Sequence, residues 1–299
     1  MANRPRQRRI ISAQTAHAAN EDIAPHLLVL SNLTMRHLAD YFYRRLSLMR
    51  GQLLAARSNP GAREIHDLRV ATRRTTEIFA ILALTGDMPA SEARSCIRRL
   101  RTLRRTAGNI RDADVSLEKL KLQLAAPHPQ QIALCRRLAR RLTQQRCSAI
   151  QRLQNELNAA SSDRVLHRWI DHARSMHLHL DPLRIQTAIK KRLAFHQKRF
   201  ARRSRLAQKD SHPHHIHKAR IAAKQWRYLL ELIHDIHAAP TPALAAAVRR
   251  LKGFQKVAGD LQDAVSFRTL RDDYPAEAQT DAADQKLIRA AINAMKAVI

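Results

Sequence analysis

The chain has 299 residues, 45% of them hydrophobic, which is enough for a buried core in one large domain or two. Its 54 Lys and Arg outnumber 25 Asp and Glu to give a formal charge of +29, which predicts an anionic polymer or surface as partner. Aromatic residues make up only 4%, which argues against ring-lined platforms for single-stranded bases, and no apolar run reaches the ~18 residues of a membrane span.

The opening stretch MANRPRQRRIIS carries Arg4, Arg6, Arg8 and Arg9 without an acid and lacks the apolar run of a secretory signal. Residues 1–20 therefore read as a flexible basic segment, yet most of the charge lies beyond it, on the folded body. From there on, apolar residues recur at three- and four-residue steps, and only six glycines interrupt the whole chain. SNPGA (58–62), TGDMPA (85–90), AAPHPQ (125–130), LDP (180–182), SHP (211–213) and AAPTP (238–242) mark the joints. The expectation is an all-α unit over 21–299 with about eight helices, arranged as two four-helix bundles of long antiparallel helices related by a pseudo-two-fold. Cys96, Cys135 and Cys147 form no CxxC pair, so neither a disulfide framework nor a thiolate zinc site is indicated, and a reducing, cytoplasmic address is expected.

Two halves, about 24–160 and 183–299, follow from an internal repeat. IHDLRVATRR (65–74) aligns with IHKARIAAKQ (216–225) at a shift of 151 residues, and RRLRTLRRTAGNIRDA (98–113) aligns with RRLKGFQKVAGDLQDA (249–264) at the same shift. On the second copy, Ala219, Ala223, Trp226, Leu229, Leu230 and Ile233 share a packing arc, bordered by Arg220, Lys224 and Arg227. On the first, Leu68, Thr75, Ile78, Phe79 and Leu82 form that arc beside His66, Arg69 and Arg73, and Thr76 takes the fourth basic place. The next repeated helix carries Arg98, Arg101 and Arg105 in one half and Arg249, Lys252 and Lys256 in the other. Lys191, Lys198, Arg202 and Arg205 line the helix that opens the second half. Any single stripe of this kind is ordinarily a solvated face. Like charges at these spacings destabilise a helix, however, by a few tenths of a kcal/mol per pair, so stripes kept in both halves point to an anionic ligand.

Gly108 and Gly259 occupy equivalent positions inside helices, where glycine costs about 1 kcal/mol relative to alanine; close helix approach, a kink or backbone access for an anion would each account for them. Asp112 and Asp263, one turn later, read as partners that orient basic side chains rather than as metal ligands. The run SHPHHIH holds His212, His214, His215 and His217, of which only His217 has a counterpart, His66. The other three flank Pro213 at a helix start, with Ser211 as candidate cap, and do not require a metal. Asp112 and Asp114 are the only close acidic pair in the motifs and Val265 breaks the second copy, so a metal-dependent polyphosphate or triphosphate hydrolase is the least favoured reading. Nucleic acid is a secondary candidate partner through charge alone, since no helix-turn-helix, zinc-finger or RNA-binding signature accompanies it.

The segments IHDLRVATRR and IHKARIAAKQWRY, with AGNIRDAD and AGDLQDAV downstream, resemble the CHAD family, the conserved-histidine α-helical domains. The likeness covers nearly all of the chain after the basic start. It implies two four-helix bundles with pseudo-two-fold symmetry that bind inorganic polyphosphate along a central basic surface, without cofactor or catalysis. The family's histidine and following basic positions fall on His66, Arg69, Arg73 and Arg74, and on His217, Arg220, Lys224 and Arg227. The resemblance further implies an address at polyphosphate granules. It carries no phosphohydrolase activity, because nothing in the chain resembles the triphosphate-processing tunnel domain to which CHAD domains are often fused.

Overall fold

The computed structural model describes residues 35–125, 129–158, 168–169, 180–236, 242–271 and 282–298; the basic segment 1–20 and most of the connection between the halves lie outside them. Eight helices follow in order: α1 (Met35–Ser58), α2 (Ala62–Thr85), α3 (Ala90–Ala125), α4 (Pro129–Asn158), α5 (Pro182–Asp210), α6 (Pro213–Ile236), α7 (Pro242–Arg271) and α8 (Ala282–Lys296). Among the described residues there is no strand, so the all-α expectation holds. A shift of 151 carries α2 onto α6 end to end, so the sequence repeat is also a repeat of elements.

Proline and glycine set the ends. Pro129, Pro182, Pro213 and Pro242 each open a helix, where a missing N–H costs nothing. Asp181 caps α5 by accepting from the Leu183 N–H at 2.9 Å, and Gly86 closes α2 in the left-handed region at φ 86°. Ser211 departs from expectation. It is the left-handed C-cap of α5 (φ 51°), its N–H donating to the Ala207 carbonyl at 2.9 Å, rather than the cap of α6. The α6 cap falls to His212, whose Nδ1 accepts from the His214 N–H at 3.1 Å.

In each half the helices pack in chain sequence, first on second, second on third, third on fourth. Between the halves α2 packs against α5 and α6, and α1 against α6, so each half presents its second helix to the other's first. One continuous apolar core runs from Leu38 on α1 to Met295 on α8. Phe42, Phe79, Phe200 and Phe254 are fully buried in it, each contributing roughly 1.5–3 kcal/mol by burial. Phe200 joins three helices by packing its ring 5.6 Å from Trp226 and 5.8 Å from Phe254. The packing arcs read from the sequence, Leu68 to Leu82 and Ala219 to Ile233, are both in this core.

Candidate functional site

Because α2 and α6 are the central pair and bury their apolar arcs, the basic stripes beside those arcs are drawn to the junction of the halves. Arg69 leaves α2 and lies across α3 at Gly108: a Cβ on that glycine would stand 2.7 Å from Arg69 Nη1. Arg220 leaves α6 and lies across α7 at Gly259 in the same way, a Cβ there standing 2.9 Å from Arg220 Nη2. Arg220 Nε also donates to the Gln255 carbonyl at 3.3 Å. Both glycines are thus spaces for a guanidinium resting on the neighbouring helix, a role none of the three sequence readings named. Arg69 Nη1 is buried there with no hydrogen-bond partner.

Charge is compressed at this junction. Lys224 on α6 is half-buried, and burial first, then Arg220, Arg73, Arg69 and Arg227, bring its amine down to about 7. Burial and then Arg73, Arg101 and Arg69 lower Arg104 to about 10. Arg69 is lowered by burial and Arg73, against the opposing pull of Asp112. Burial is also the main depressor of Arg220, while Asp263 and Asp112 attract it and Arg73 of the other half repels it. Arg199 on α5 is lowered by burial, then by Arg203, Arg202 and Arg101. The bases of α2, α3, α5 and α6 therefore sense one another across both halves. Asp112 attracts Arg69, and Asp263 and Asp112 attract Arg220, while Asp263 also lies 4.0 Å from Lys119 Nζ.

His66 and His217 flank this cluster at the starts of the two motifs. Burial, followed by Arg111 for His66 and by Arg220 for His217, holds both imidazoles below their ordinary value. His217 is the deeper of the two, hydrogen-bonds Gln262, and keeps a buried Nδ1 without a partner. His212, His214 and His215 instead pack ring against ring, 5.7–6.4 Å between centroids, with His215 Nε2 3.1 Å from Asp210. Among the described residues no three His, Cys, Asp or Glu side chains are grouped to hold a metal ion.

Of the bases singled out in the sequence, Arg69, Arg73, Arg220 and Lys224 meet at the centre, with Arg101 and Arg202 acting on its edge. Arg74 and Arg227 are brought together differently: Glu231 accepts from Arg74 Nη2 at 3.2 Å and pairs with Arg227 Nη1 at 3.4 Å, so one carboxylate bridges the halves. Arg98, Arg105, Lys191 and Lys198 are exposed on α3 and α5, and Arg249, Lys252 and Lys256 are exposed on α7. Sequence reasoning missed Arg104, Arg199 and Arg203. Their repeat counterparts are Gln255, Leu48 and Gln52, so looking for bases kept in both halves passed over them. Arg104 does sit one turn before Gly108, which was the available signal.

A second polar group lies where α2 meets α5. Glu77 is 4% exposed, accepts from Arg192 Nη2 at 2.7 Å and Nε at 3.1 Å, and lies 3.0 Å from His196 Nε2. Burial pushes the Glu77 carboxyl up, but His196 and Arg192 outweigh it and leave the group below the usual carboxylate range. On the opposite seam, α1 to α6, Arg45 and Asp235 pair at 2.6 Å, and Asp235 is far more exposed than Glu77.

Comparisons with known proteins agree with this architecture. The chain is similar to the crystal structure of the CHAD domain from the plant Ricinus communis, with a TM-score of 0.59 and 18% identity over 88% of this chain and 89% of that one. At that identity the likeness concerns the fold alone. Among curated proteins none matches the chain. The family model described as CHAD domain matches residues 40–272, which spans all four helices that meet at the basic junction. The chain belongs to the CHAD domain family.

Proposed function

We propose that this chain binds inorganic polyphosphate, without hydrolysing it, at the junction where Arg69, Arg73, Arg220 and Lys224 meet. The observation that carries the reading is the mutual repulsion of these half-buried bases, drawn from both halves and far in excess of the acids beside them. Such a cluster is costly in the free protein and is relieved by a dense polyanion, whose phosphates replace the missing counter-charge. Guanidinium groups can each grip two phosphate oxygens, and Lys224 adds a point charge. The buried Arg69 Nη1 and His217 Nδ1 lack partners, and phosphate oxygens are suitable acceptors for such groups. Membership of the CHAD family supports the same ligand class. Polyphosphate granules are the corresponding destination in the cell.

Binding of size-defined polyphosphate to the wild type and to a variant with Arg69, Arg73, Arg220 and Lys224 all replaced by alanine tests this reading. Wild-type affinity is expected to fall steeply between low and moderate salt, and the variant is expected to lose at least about 100-fold, since four charge-assisted contacts go at once. Full retention of affinity in the variant would move the site elsewhere. Excess polyphosphate should also displace bound DNA, whereas excess DNA should hardly displace polyphosphate; the reverse order would favour nucleic acid.

A further inference from the structure

Beside the basic junction lies a cleft of a different character. Residues of α3, α4 and α7 enclose about 560 Å³ there, within the roughly 300–1,000 Å³ typical of small-molecule sites. Two features join this space to the junction. On α3, Arg69 Nη1 stands 2.7 Å from where a Cβ on Gly108 would be, the next residue, Asn109, is on the cleft wall, and Asp112 follows one turn after Gly108. On α7, Gln262 hydrogen-bonds His217, lines the cleft, and donates from Nε2 to Ser266 Oγ at 3.0 Å. A ligand held by the guanidinium groups can therefore extend directly into the cleft.

Its wall is uncharged overall. Among the described residues that form it, Asp112 and Arg152 are the only charged ones, one of each sign, in a chain of formal charge +29. The other polar groups are the neutral amides of Asn109, Gln145 and Gln262 and the hydroxyls of Ser116 and Ser266. Ala113 and Leu142, both buried, and half-buried Val265 supply an apolar floor. The repeat counterparts of Gln262 and Val265 are Arg111 and Asp114, so this neutral face belongs to α7 and is not a product of the repeat. Phosphate gains little from such a wall, and Asp112 repels it. A neutral group with hydrogen-bonding edges and an apolar face fits.

We propose, building on the anion-binding reading above, that the chain takes nucleoside polyphosphates, with the phosphate chain on the arginines of the junction and the nucleoside in this cleft. The amides offer both donors and acceptors to the edge of a base, and Leu142 and Val265 offer apolar contact to its face. Asp112 is placed to accept from ribose hydroxyls, as an acidic side chain does in dinucleotide sites. Charge on the phosphates supplies most of the attraction, and the nucleoside adds selectivity.

Calorimetric titration of the full chain at pH 7.5 in EDTA, with ATP and with inorganic tripolyphosphate, tests the assignment. The two ligands carry the same number of phosphates and tripolyphosphate has the higher charge, so tighter binding of ATP reads the nucleoside. ATP is expected to bind about tenfold more tightly. Gln145→Leu with Ser266→Leu, both at exposed positions, fills the cleft and removes two of its polar groups without changing charge. In that variant ATP should fall to the level of tripolyphosphate, whose own affinity should stay unchanged and so reports an intact fold. Ser266→Leu alone serves if the double variant loses its helical circular dichroism. ATP binding no tighter than tripolyphosphate in the wild type overturns the proposal, as does a folded variant that keeps the ATP preference or loses both ligands alike. Long-chain polyphosphate titrated into the same protein separates the two levels. Tight binding of it without a preference for ATP removes only this inference, whereas no binding of it removes the reading beneath.

Discussion

The two halves keep the same geometry and distribute charge differently over it. Arg69 on Gly108 and Arg220 on Gly259 are equivalent in residue type, in position and in the way a guanidinium lies across the next helix. Around them other positions differ: Arg104 faces the cluster in the first half where the second has Gln255, and Arg227 stands where the first has Thr76. Lys224 replaces Arg73, and Glu231, which ties Arg74 to Arg227, replaces Ala80. The helix-crossing arginines are thus the shared frame. The unmatched bases lie on α2 and α3 in the first half, as Arg74 and Arg104, and on α5 and α6 in the second, as Arg199, Arg203 and Arg227. Both distributions meet at one junction, which explains why charge could move between repeats without leaving the site.

The seams between the halves give the largest expected contrast. On α2 to α5, Glu77 and His196 are buried at 4% and 1% side-chain exposure, whereas on α1 to α6 the carboxylate partner, Asp235, is 34% exposed; the paired arginines, Arg192 and Arg45, are similar at 18% and 20%. Glu77→Leu leaves Arg192 and His196 without their anion, at a cost of about 3–5 kcal/mol, the usual penalty for breaking a buried pair. Asp235→Asn should cost about 1 kcal/mol or less. Urea unfolding of the two variants measures both. Equal losses would mean that the seams are energetically alike despite their different burial.

The shared frame is tested by Gly108→Ala and Gly259→Ala. Each new Cβ meets the far end of an arginine, which can swing away, so stability should change by no more than about 1 kcal/mol, helped by alanine's better helix propensity. Binding should respond more. The displaced guanidinium is expected to weaken polyphosphate affinity about tenfold, the worth of one charge-assisted hydrogen bond. Gly259→Ala should be the stronger of the two, since Arg220 must also give up its bond to the Gln255 carbonyl. Unchanged affinity in both variants would reduce the glycines to a packing detail.

Much of this arrangement could be read in the chain because it is local and periodic. Leu68, Ile78 and Phe79 announce a buried arc by their spacing, and the repeated His, Arg and Gly positions announce a site by keeping a shift of 151 twice. What stayed hidden depends on partners distant in sequence. Glu77 and His196 are 119 residues apart and Arg74 and Glu231 are 157 apart, and nothing in either segment signals the other. Ser211 was misplaced for a different reason. A serine between two helices can close one or open the next, and only the backbone, at φ 51°, decides.

The smallest expected effect separates the halves by their response to pH. The equivalent bases are Arg73 in the first half and Lys224 in the second, and only Lys224 is held at about 7. Polyphosphate stabilises the charged amine and raises that value, so binding near neutrality takes up a proton. Affinity should therefore decline as pH rises from about 7 to 8.5, by roughly threefold to tenfold for one coupled proton. Below that range it should climb again as His66 and His217, both held low by burial and neighbouring arginines, gain charge. Lys224→Arg keeps the cation at every pH and should flatten the upper limb while leaving the histidine limb in place. Calorimetry in buffers of different ionisation enthalpy counts the proton directly. If Lys224→Arg takes up as many protons as the wild type at pH 7.5, the titrating group lies elsewhere and the second half is no more pH-sensitive than the first.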